Sequence, residues 1–280
     1  MIRLSITSSK YRNVIASILL FLIVFGIWQV YDLIIFHYPL PSLPLPIDSY
    51  ALSHLIIYGV CLAALLVFLK LGESRLEEQG FKAPSNTRRS IILSICFALL
   101  YVLVVLAPGF LFEFTSRAYP DIASIIFNIL RAILIALTTE SIFRGYIFRN
   151  LTKNYGFFVS LYASSILFGL HGYDYPISVL RLLTMSTTEI IQEVVFQQIM
   201  PVFTSGLFLG FMFYKMDWSI LGSVIFRVIT LLYFFLSPLV ASSVWWMGLT
   251  FEVMAYTLLF IILDSAIKEP RYRRRRYHLE

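Results

Sequence analysis

Long apolar runs, separated by short polar stretches, dominate the sequence. Crossing the hydrocarbon core of a bilayer takes about 20 mostly apolar residues, so each run is a candidate membrane helix. The candidate spans are residues 14–36, 51–71, 90–112, 122–148, 156–171, 190–214, 219–238 and 244–266. The fifth run is short, and the sixth carries Glu193, Gln197 and Gln198 in its first turns. The pattern predicts an all-α, polytopic membrane bundle of about eight transmembrane helices, with residues 1–280 forming a single domain.

Composition strengthens the membrane prediction. The chain is 59% hydrophobic and 14% charged, whereas soluble domains are about 25% charged. The lipid bilayer is therefore an expected partner. The net charge is +6, but the basic residues lie at the ends of the apolar runs and in the tail 267–280, which holds five arginines. This distribution is typical of topology signals and contacts with lipid headgroups, so no nucleic-acid partner is predicted.

Basic residues alternate between the polar stretches that connect the runs. The N-terminus and residues 72–89 are basic, whereas residues 37–50 contain no Lys or Arg. Because basic stretches of membrane proteins remain in the cytoplasm, we expect a multi-pass protein of the cell membrane with both termini cytoplasmic. Residues 72–89 form the longest polar stretch and are predicted to be a cytoplasmic loop with room for a short interfacial helix.

Several ionisable side chains fall inside the apolar runs, where each costs roughly 2.5–3.5 kcal/mol and marks a candidate site. Glu140 and Arg144 lie in the fourth run, His171 ends the fifth, and Arg227 lies in the seventh. Glu140 and Arg144 are four residues apart, so they share a helix face and can pair. Each of these residues also has a structural alternative. Arg144 could extend to the lipid headgroups, His171 could cap the end of a helix, and Glu140 could pair with Arg227 to set helix register. Arg131 is expected to be structural, and His37 and His54, near the outer edge, are expected to lie at the membrane interface.

A short motif surrounds Glu140. Residues 139–148 read Thr-Glu-Ser-Ile-Phe-Arg-Gly-Tyr-Ile-Phe. This segment resembles the first motif of the CPBP family, the CAAX-protease and bacteriocin-processing intramembrane endopeptidases, which is Glu-Glu-x-x-x-Arg followed by Gly. Glu140 matches the second glutamate, Arg144 the arginine and Gly145 the glycine.

Two later segments extend the resemblance, so that the CPBP-like core covers about residues 90–240. The family's second motif is Phe-x-x-x-His, and here His171 matches the histidine while Phe168 is one residue out of place. The third motif is His-x-x-x-Asn after a Gly-Ser-Ile-like entry. In this sequence the corresponding entry is residues 218–223. Arg227 then stands at the position of the family's histidine, and Leu231 at the position of its asparagine.

The resemblance implies an intramembrane hydrolase in which a glutamate activates water, a histidine holds it, and a later histidine and asparagine stabilise the oxyanion. Three positions of this site differ together. Thr139 replaces the first glutamate, Arg227 replaces the later histidine and Leu231 replaces the asparagine. If the chain is active, the expected catalytic residues are Glu140, His171 and Arg144.

The replacement of three motif positions together favours a catalytically degenerate homologue of the family. Such a protein would bind a peptide, a prenylated segment or another membrane protein. The first alternative is an active endopeptidase that uses Glu140 and His171. The second is a small transporter, whose expected signature is broken helices and paired hydrophobic repeats. No cofactor is expected. No metal is expected either, because catalytic zinc takes three protein ligands and only Glu140 and His171 converge in the motifs.

Overall fold

The computed structural model describes residues 9–37, 49–72, 75–111, 114–116, 121–172, 179–236, 239–241 and 245–267. Nearly all of these residues are helical. The helices are α1 (Ser9–His37), α2 (Ser49–Leu71), α3 (Thr87–Leu111), α4 (Ile122–Glu140), α5 (Arg149–Tyr155), α6 (Phe157–His171), α7 (Val179–Thr184), α8 (Thr187–Glu189), α9 (Met200–Lys215), α10 (Leu221–Leu236) and α11 (Trp245–Ala266). Two π-helices, π1 (Ser141–Phe148) and π2 (Ile190–Ile199), and one 3-10 helix (Leu76–Gln79) complete the helical elements.

A helix lies at each of the eight predicted positions, and the predicted all-α membrane bundle is confirmed. Within the described residues, five helices are long and apolar enough to cross a membrane. These are Tyr11–Tyr31, Leu52–Leu71, Thr87–Ala107, Ile122–Tyr155 and Thr187–Lys215. The fifth and seventh predicted spans, α6 and α10, are apolar helices of only 15 and 16 residues.

The fourth predicted span is longer than its apolar run. The elements α4, π1 and α5 form one continuous helix from Ile122 to Tyr155. The Asp121 side chain caps the start of this helix by accepting a hydrogen bond from the Ser124 N–H at 2.6 Å. The first N–H groups of a helix have no carbonyl partner within it, and this contact satisfies one of them. Gly156, at a φ of 74°, ends it with a conformation that glycine adopts without steric cost. The π1 stretch begins directly after Glu140, and π-helices often accompany functional sites.

The sixth predicted span is likewise a compound helix, made of α8, π2 and α9. Pro201 is the second residue of α9 and lies two positions after the last residue of π2. Proline has no N–H to donate, so the regular hydrogen-bond ladder is interrupted at this point. The proline is thus a local cause for the wider turns of π2.

Helices α6 and α9 approach closely through small residues. A Cβ atom at Gly206 would lie 3.0 Å from the Ser165 Cβ, and one at Gly210 would lie 2.4 Å from the Leu161 Cδ1. Gly206 and Gly210 form a G-x-x-x-G spacing, which lets helix backbones meet where no hydrophobic effect drives association. This contact brings main-chain atoms of α9 within reach of side chains from neighbouring helices.

The remaining long helices enclose this pair. Helix α10 packs on α3 and α4, α11 packs on α3 and α9, α2 packs on α4, and α1 packs on α2, α5 and π1. Residues 114–116 and 239–241 form two short antiparallel strands, with Phe114 opposite Ala241. The strands follow α3 and α10 in the sequence and so tie the ends of these two helices together.

The polar stretch after α2 is folded against the bundle. Residues 75–86, called the 75–86 segment below, contain the 3-10 helix and pack on the turn after α9. Gly80 O accepts a hydrogen bond from Ile220 N at 3.0 Å, and Lys82 O accepts one from the Ser219 hydroxyl at 2.6 Å. The Ser85 side chain and N–H both bind the Asp217 carboxylate. The predicted loop therefore includes a short helix, and part of it is buried.

Candidate active site

All six residues of the predicted site are buried in the bundle. Their exposures are 1% for Thr139, 0% for Glu140, 0% for Arg144, 1% for His171, 2% for Arg227 and 4% for Leu231. The first three lie at the junction of α4 and π1, His171 ends α6, and the last two lie on α10. Below, Glu140, Arg144, Phe168, His171 and Arg227 are called the site cluster.

Glu140 and Arg144 form the ion pair that their spacing predicts. Arg144 Nε lies 3.5 Å from Glu140 Oε2, with both side chains enclosed by protein. Arg144 Nη2 also donates to the Gly206 carbonyl at 3.3 Å, which the close approach of α9 makes possible. Its guanidinium therefore contacts interior groups and does not extend to the lipid headgroups, so the alternative of a headgroup contact for Arg144 does not apply.

Phe168 joins the two arginines of the site cluster. The Arg144 Cζ lies 4.1 Å from the centre of its ring and the Arg227 Cζ lies 4.7 Å from the same centre. An arginine over an aromatic face at this distance is attracted by the negative charge of the ring face. The residue that is out of place in the sequence motif is therefore a contact point for both guanidinium groups.

The alternative pairing of Glu140 with Arg227 is not formed. Within the described part of the chain, the cation within 4 Å of the Glu140 carboxylate is Arg144. Neither Glu140 oxygen accepts a hydrogen bond from a described group, and both oxygens are fully enclosed. The carboxylate is thus held by one cation, with hydrogen-bonding capacity left over.

His171 lies among aromatic rings from three helices. Its ring centre is 6.2 Å from that of Trp28, 6.4 Å from that of Tyr58 and 5.3 Å from that of Phe143. Its Nδ1 lies 3.3 Å from the Gly172 carbonyl oxygen, which can only accept a hydrogen bond. This contact assigns the proton to Nδ1 and leaves Nε2 as an acceptor in the neutral ring. His171 does end α6, but it is buried and does not face solvent.

The replaced motif positions offer little to hydrolytic chemistry. The Thr139 hydroxyl donates to the Ile135 carbonyl at 2.7 Å, so its proton is committed to its own helix. Leu231 belongs to the hydrophobic core and has no donor to offer an oxyanion. Among the residues that the structure describes, no three His, Cys, Asp or Glu side chains gather in an arrangement that could hold a metal ion.

A second buried polar pair, to which the sequence analysis assigned no functional role, is linked to His171 through Trp28. Arg131 Nη2 is 3.0 Å from His54 Nδ1, and the Arg131 Cζ lies 4.1 Å from the Phe235 ring centre. The His54 ring meets Trp28 at 5.4 Å, and Trp28 in turn meets His171. The position of His54 near a helix end predicted that it faces the membrane interface. The structure shows instead that it is buried, at 1% exposure. The helical spacing of His54, Tyr58, Cys61 and Leu65, all buried, was the available signal.

Comparison with known proteins agrees with the motifs. Residues 121–232 match the family model of the Rce1-like type II CAAX prenyl endopeptidases. No curated protein matches the chain. The matched segment runs from the Asp121 cap to α10 and contains every residue of the site cluster. The predicted resemblance is confirmed: residues 121–232 of this chain are similar to the Rce1-like type II CAAX prenyl endopeptidases.

Proposed function

We propose that this CAAX-protease-like membrane protein binds a peptide or prenylated segment in its bundle without hydrolysing it by the family's glutamate–histidine chemistry. One observation carries the proposal: Glu140, the remaining motif carboxylate, is enclosed and ion-paired with Arg144 at 3.5 Å. A general base must reach the proton of the water that it activates, either directly or through one further water. An enclosed, paired carboxylate is poorly placed for that task.

The replaced positions support the same conclusion. Hydrolysis of an amide needs preorganised donors at the developing oxyanion, and removing one donor typically costs a factor of roughly 100 to 1,000 in rate. Leu231 supplies no donor, and the Thr139 hydroxyl proton is bound to the Ile135 carbonyl. The Arg227 guanidinium lies over the Phe168 ring. Three of the groups that the family uses are therefore missing or differently engaged.

The buried ionisable side chains support the binding half of the proposal. Such side chains are costly at membrane depth, and those that occur there usually serve a function. Arg144, Arg227 and His171 lie in one buried region around Phe168. Arginine and aromatic groups together provide hydrogen bonds and apolar area, which a peptide with a lipid group requires.

An active endopeptidase is the second candidate, because one observation favours it. The Gly172 carbonyl fixes the His171 proton on Nδ1, so Nε2 presents a lone pair. A histidine in this form can accept a hydrogen bond from a catalytic water. In this candidate, Glu140 releases Arg144 when substrate binds and then acts as the base.

The test separates binding from cleavage in one preparation. Wild-type protein and Glu140→Gln are reconstituted in nanodiscs with a fluorescent farnesylated peptide that ends in a CAAX sequence. Anisotropy measures binding, and mass spectrometry of the same samples measures cleavage. We expect saturable binding to both proteins and no cleavage that depends on Glu140.

Two results would contradict the proposal. Cleavage by the wild type that is lost in Glu140→Gln while peptide binding is retained establishes the endopeptidase, and absence of saturable binding to the wild type removes the binding function. The triple variant Thr139→Glu, Arg227→His and Leu231→Asn restores the residue types of the family motif and serves as the matched comparison. Cleavage gained by the triple variant supports loss of activity at these three positions.

A further inference from the structure

Gln79 is the last residue of the 3-10 helix and has an unusual environment. Its side chain is 0% exposed, whereas its neighbours Glu77 and Glu78 are exposed. Within the described residues, neither its Nε2 nor its Oε1 has a hydrogen-bond partner. A carboxamide supplies two donors and one acceptor with two lone pairs, so the whole capacity of this group is unused.

Such a group is costly and rare in folded proteins. The large majority of buried side-chain polar atoms have a partner, because an enclosed donor or acceptor loses its hydrogen bonds to water and gains nothing. A leucine or methionine of similar size would fill this space without that cost. The conformation described here is therefore not the one in which the Gln79 carboxamide is best satisfied.

Gln79 also lies directly against the helix that carries the site. A Cβ atom at Gly145 would be 2.6 Å from the Gln79 carbonyl oxygen, so only glycine allows this contact. Gly145 follows Arg144 in π1, and Arg144 Nη1 and Glu140 Oε1 are likewise buried without hydrogen-bond partners. Unused polar atoms thus occur on both sides of the contact between the 75–86 segment and π1.

The hydrogen bonds that hold the 75–86 segment are made to an element other than π1. Gly80, Lys82 and Ser85 bind the turn formed by residues 217–220. Between Gln79 and π1 the described contacts include no hydrogen bond, and the two meet by packing. Movement of the 3-10 helix relative to π1 therefore breaks no hydrogen bond between the described residues of these two elements.

The chemistry of the group indicates its ligand. A carboxamide is uncharged and offers a donor and an acceptor side by side, which matches the N–H and C=O of a peptide main chain. A phosphate or a metal ion would instead be met by a charged side chain at this position. The ligand class that suits Gln79 is therefore an extended peptide.

We propose that Gln79 is a ligand-binding residue of this protein, whose carboxamide hydrogen-bonds to the main chain of a bound peptide when the 75–86 segment moves away from π1. This inference rests on the proposed peptide-binding function and adds to it a contact from outside residues 121–232. The peptide supplies the carboxamide with a hydrogen-bond partner, which the described residues do not provide.

The experiment uses the full chain in nanodiscs and the same farnesylated CAAX-terminated peptide. Gln79→Leu removes the carboxamide at nearly constant volume, and Glu78→Gln on the exposed side of the same turn is the control. We expect Gln79→Leu to bind the peptide about tenfold more weakly, the usual effect of one lost hydrogen bond. Its Tm should equal or exceed that of the wild type, because no protein hydrogen bond is removed. Glu78→Gln should match the wild type in both measurements.

A second series identifies the main-chain contact by changing the peptide. Peptides in which one amide N–H at a time is replaced by an ester oxygen are bound to the wild type and to Gln79→Leu. We expect one position at which the ester weakens binding to the wild type and leaves Gln79→Leu unaffected.

Each of the other outcomes overturns the inference, and each shows whether the proposed function fails with it. If the wild type does not bind the peptide, both fail together. If the wild type binds and Gln79→Leu binds equally well, or no ester distinguishes them, only the role of Gln79 fails. If Gln79→Leu has a clearly lower Tm, its carboxamide is structural and the inference is wrong. Should that variant not fold, Gln79→Met, which also removes the carboxamide at similar size, replaces it in both series.

Discussion

At the scale of single residues, Phe168 sets the geometry of the site cluster. Its ring lies 4.1 Å from the Arg144 Cζ and 4.7 Å from the Arg227 Cζ, so the two cations are within roughly 9 Å of each other. Like charges at that distance repel in a poorly polar interior. The ring offsets part of this repulsion, because its negative face attracts both guanidinium groups.

Replacing Phe168 should therefore cost more than ordinary loss of packing. We expect Phe168→Leu to lower the free energy of unfolding by about 1–3 kcal/mol more than Phe143→Leu, since two cation–ring contacts are lost. Phe143 is a matched control, because it is equally buried and contacts Phe168 and His171. Denaturant unfolding in mixed micelles measures both variants, and equal losses would contradict a role for the cation contacts.

The Glu140–Arg144 pair leads to a second prediction. Removing one partner of an enclosed pair leaves an uncompensated charge, which typically costs about 3–5 kcal/mol, whereas removing both is often nearly neutral. We expect Arg144→Met to be strongly destabilised and Arg144→Met with Glu140→Gln to recover most of the loss. The same unfolding assay on Arg144→Met, Glu140→Gln and the double variant gives the coupling energy. If the effect of the double variant equals the sum of the two single effects, the pair contributes little.

Helical spacing was enough to predict this pair, because residues four apart lie on one face. The contact of Arg227 with Phe168 was not predictable. It joins α6 to α10 across 59 positions of sequence, and only the packing of the two helices decides it. The motif comparison even treated Phe168 as misplaced, since a sequence pattern does not show which way a ring points.

At the scale of helices, position and type were predictable but the inward faces were harder to assign. The buried face of α1 includes Ser17, Leu20, Val24 and Trp28, which recur at helical spacing. Lipid-facing residues are equally apolar, so the contrast that reveals a buried face in soluble proteins is weak here. For the same reason His54, a polar residue near a helix end, was assigned to the interface.

The π-helices were not predicted, because hydropathy reports burial and does not report hydrogen-bond register. Pro201 was a local sign for π2, since a proline inside a helix must disturb the ladder. Nothing comparable marks π1. Its Gly145 is instead explained by contact with Gln79 from a different part of the chain.

This contact gives a prediction for the 75–86 segment. We expect Gly145→Ala to push the 3-10 helix away from π1, because the new Cβ would meet the Gln79 carbonyl oxygen at 2.6 Å. Hydrogen exchange at residues 75–86 should become faster, while exchange in α2 stays unchanged. Gly59→Ala is the control, since a Cβ there has nothing within 4 Å. Unchanged exchange in Gly145→Ala would mean that the contact does not hold the segment.

At the scale of the whole molecule, the alternation of basic stretches predicts that the 75–86 segment and both termini share the cytoplasmic side. Single cysteines placed at Ser85 and Asp121, in a background lacking Cys61 and Cys96, test this orientation. We expect a membrane-impermeant maleimide added to intact cells to label the cysteine at 121 and to spare the one at 85 until the cells are opened. The reverse labelling would invert the topology.

The short helices α6 and α10 have a consequence for the surrounding lipid. At 15 and 16 residues they reach only about 22–24 Å, whereas the hydrocarbon core is roughly 30 Å thick. Such hydrophobic mismatch is relieved when the adjoining bilayer thins, at a modest cost per ångström. His171 and Arg227 belong to these two helices. We therefore expect the local bilayer to be thinnest beside the site cluster. A lipidated chain diffusing in the membrane plane would meet its lowest barrier on that side, and thin membranes would hold this protein most readily.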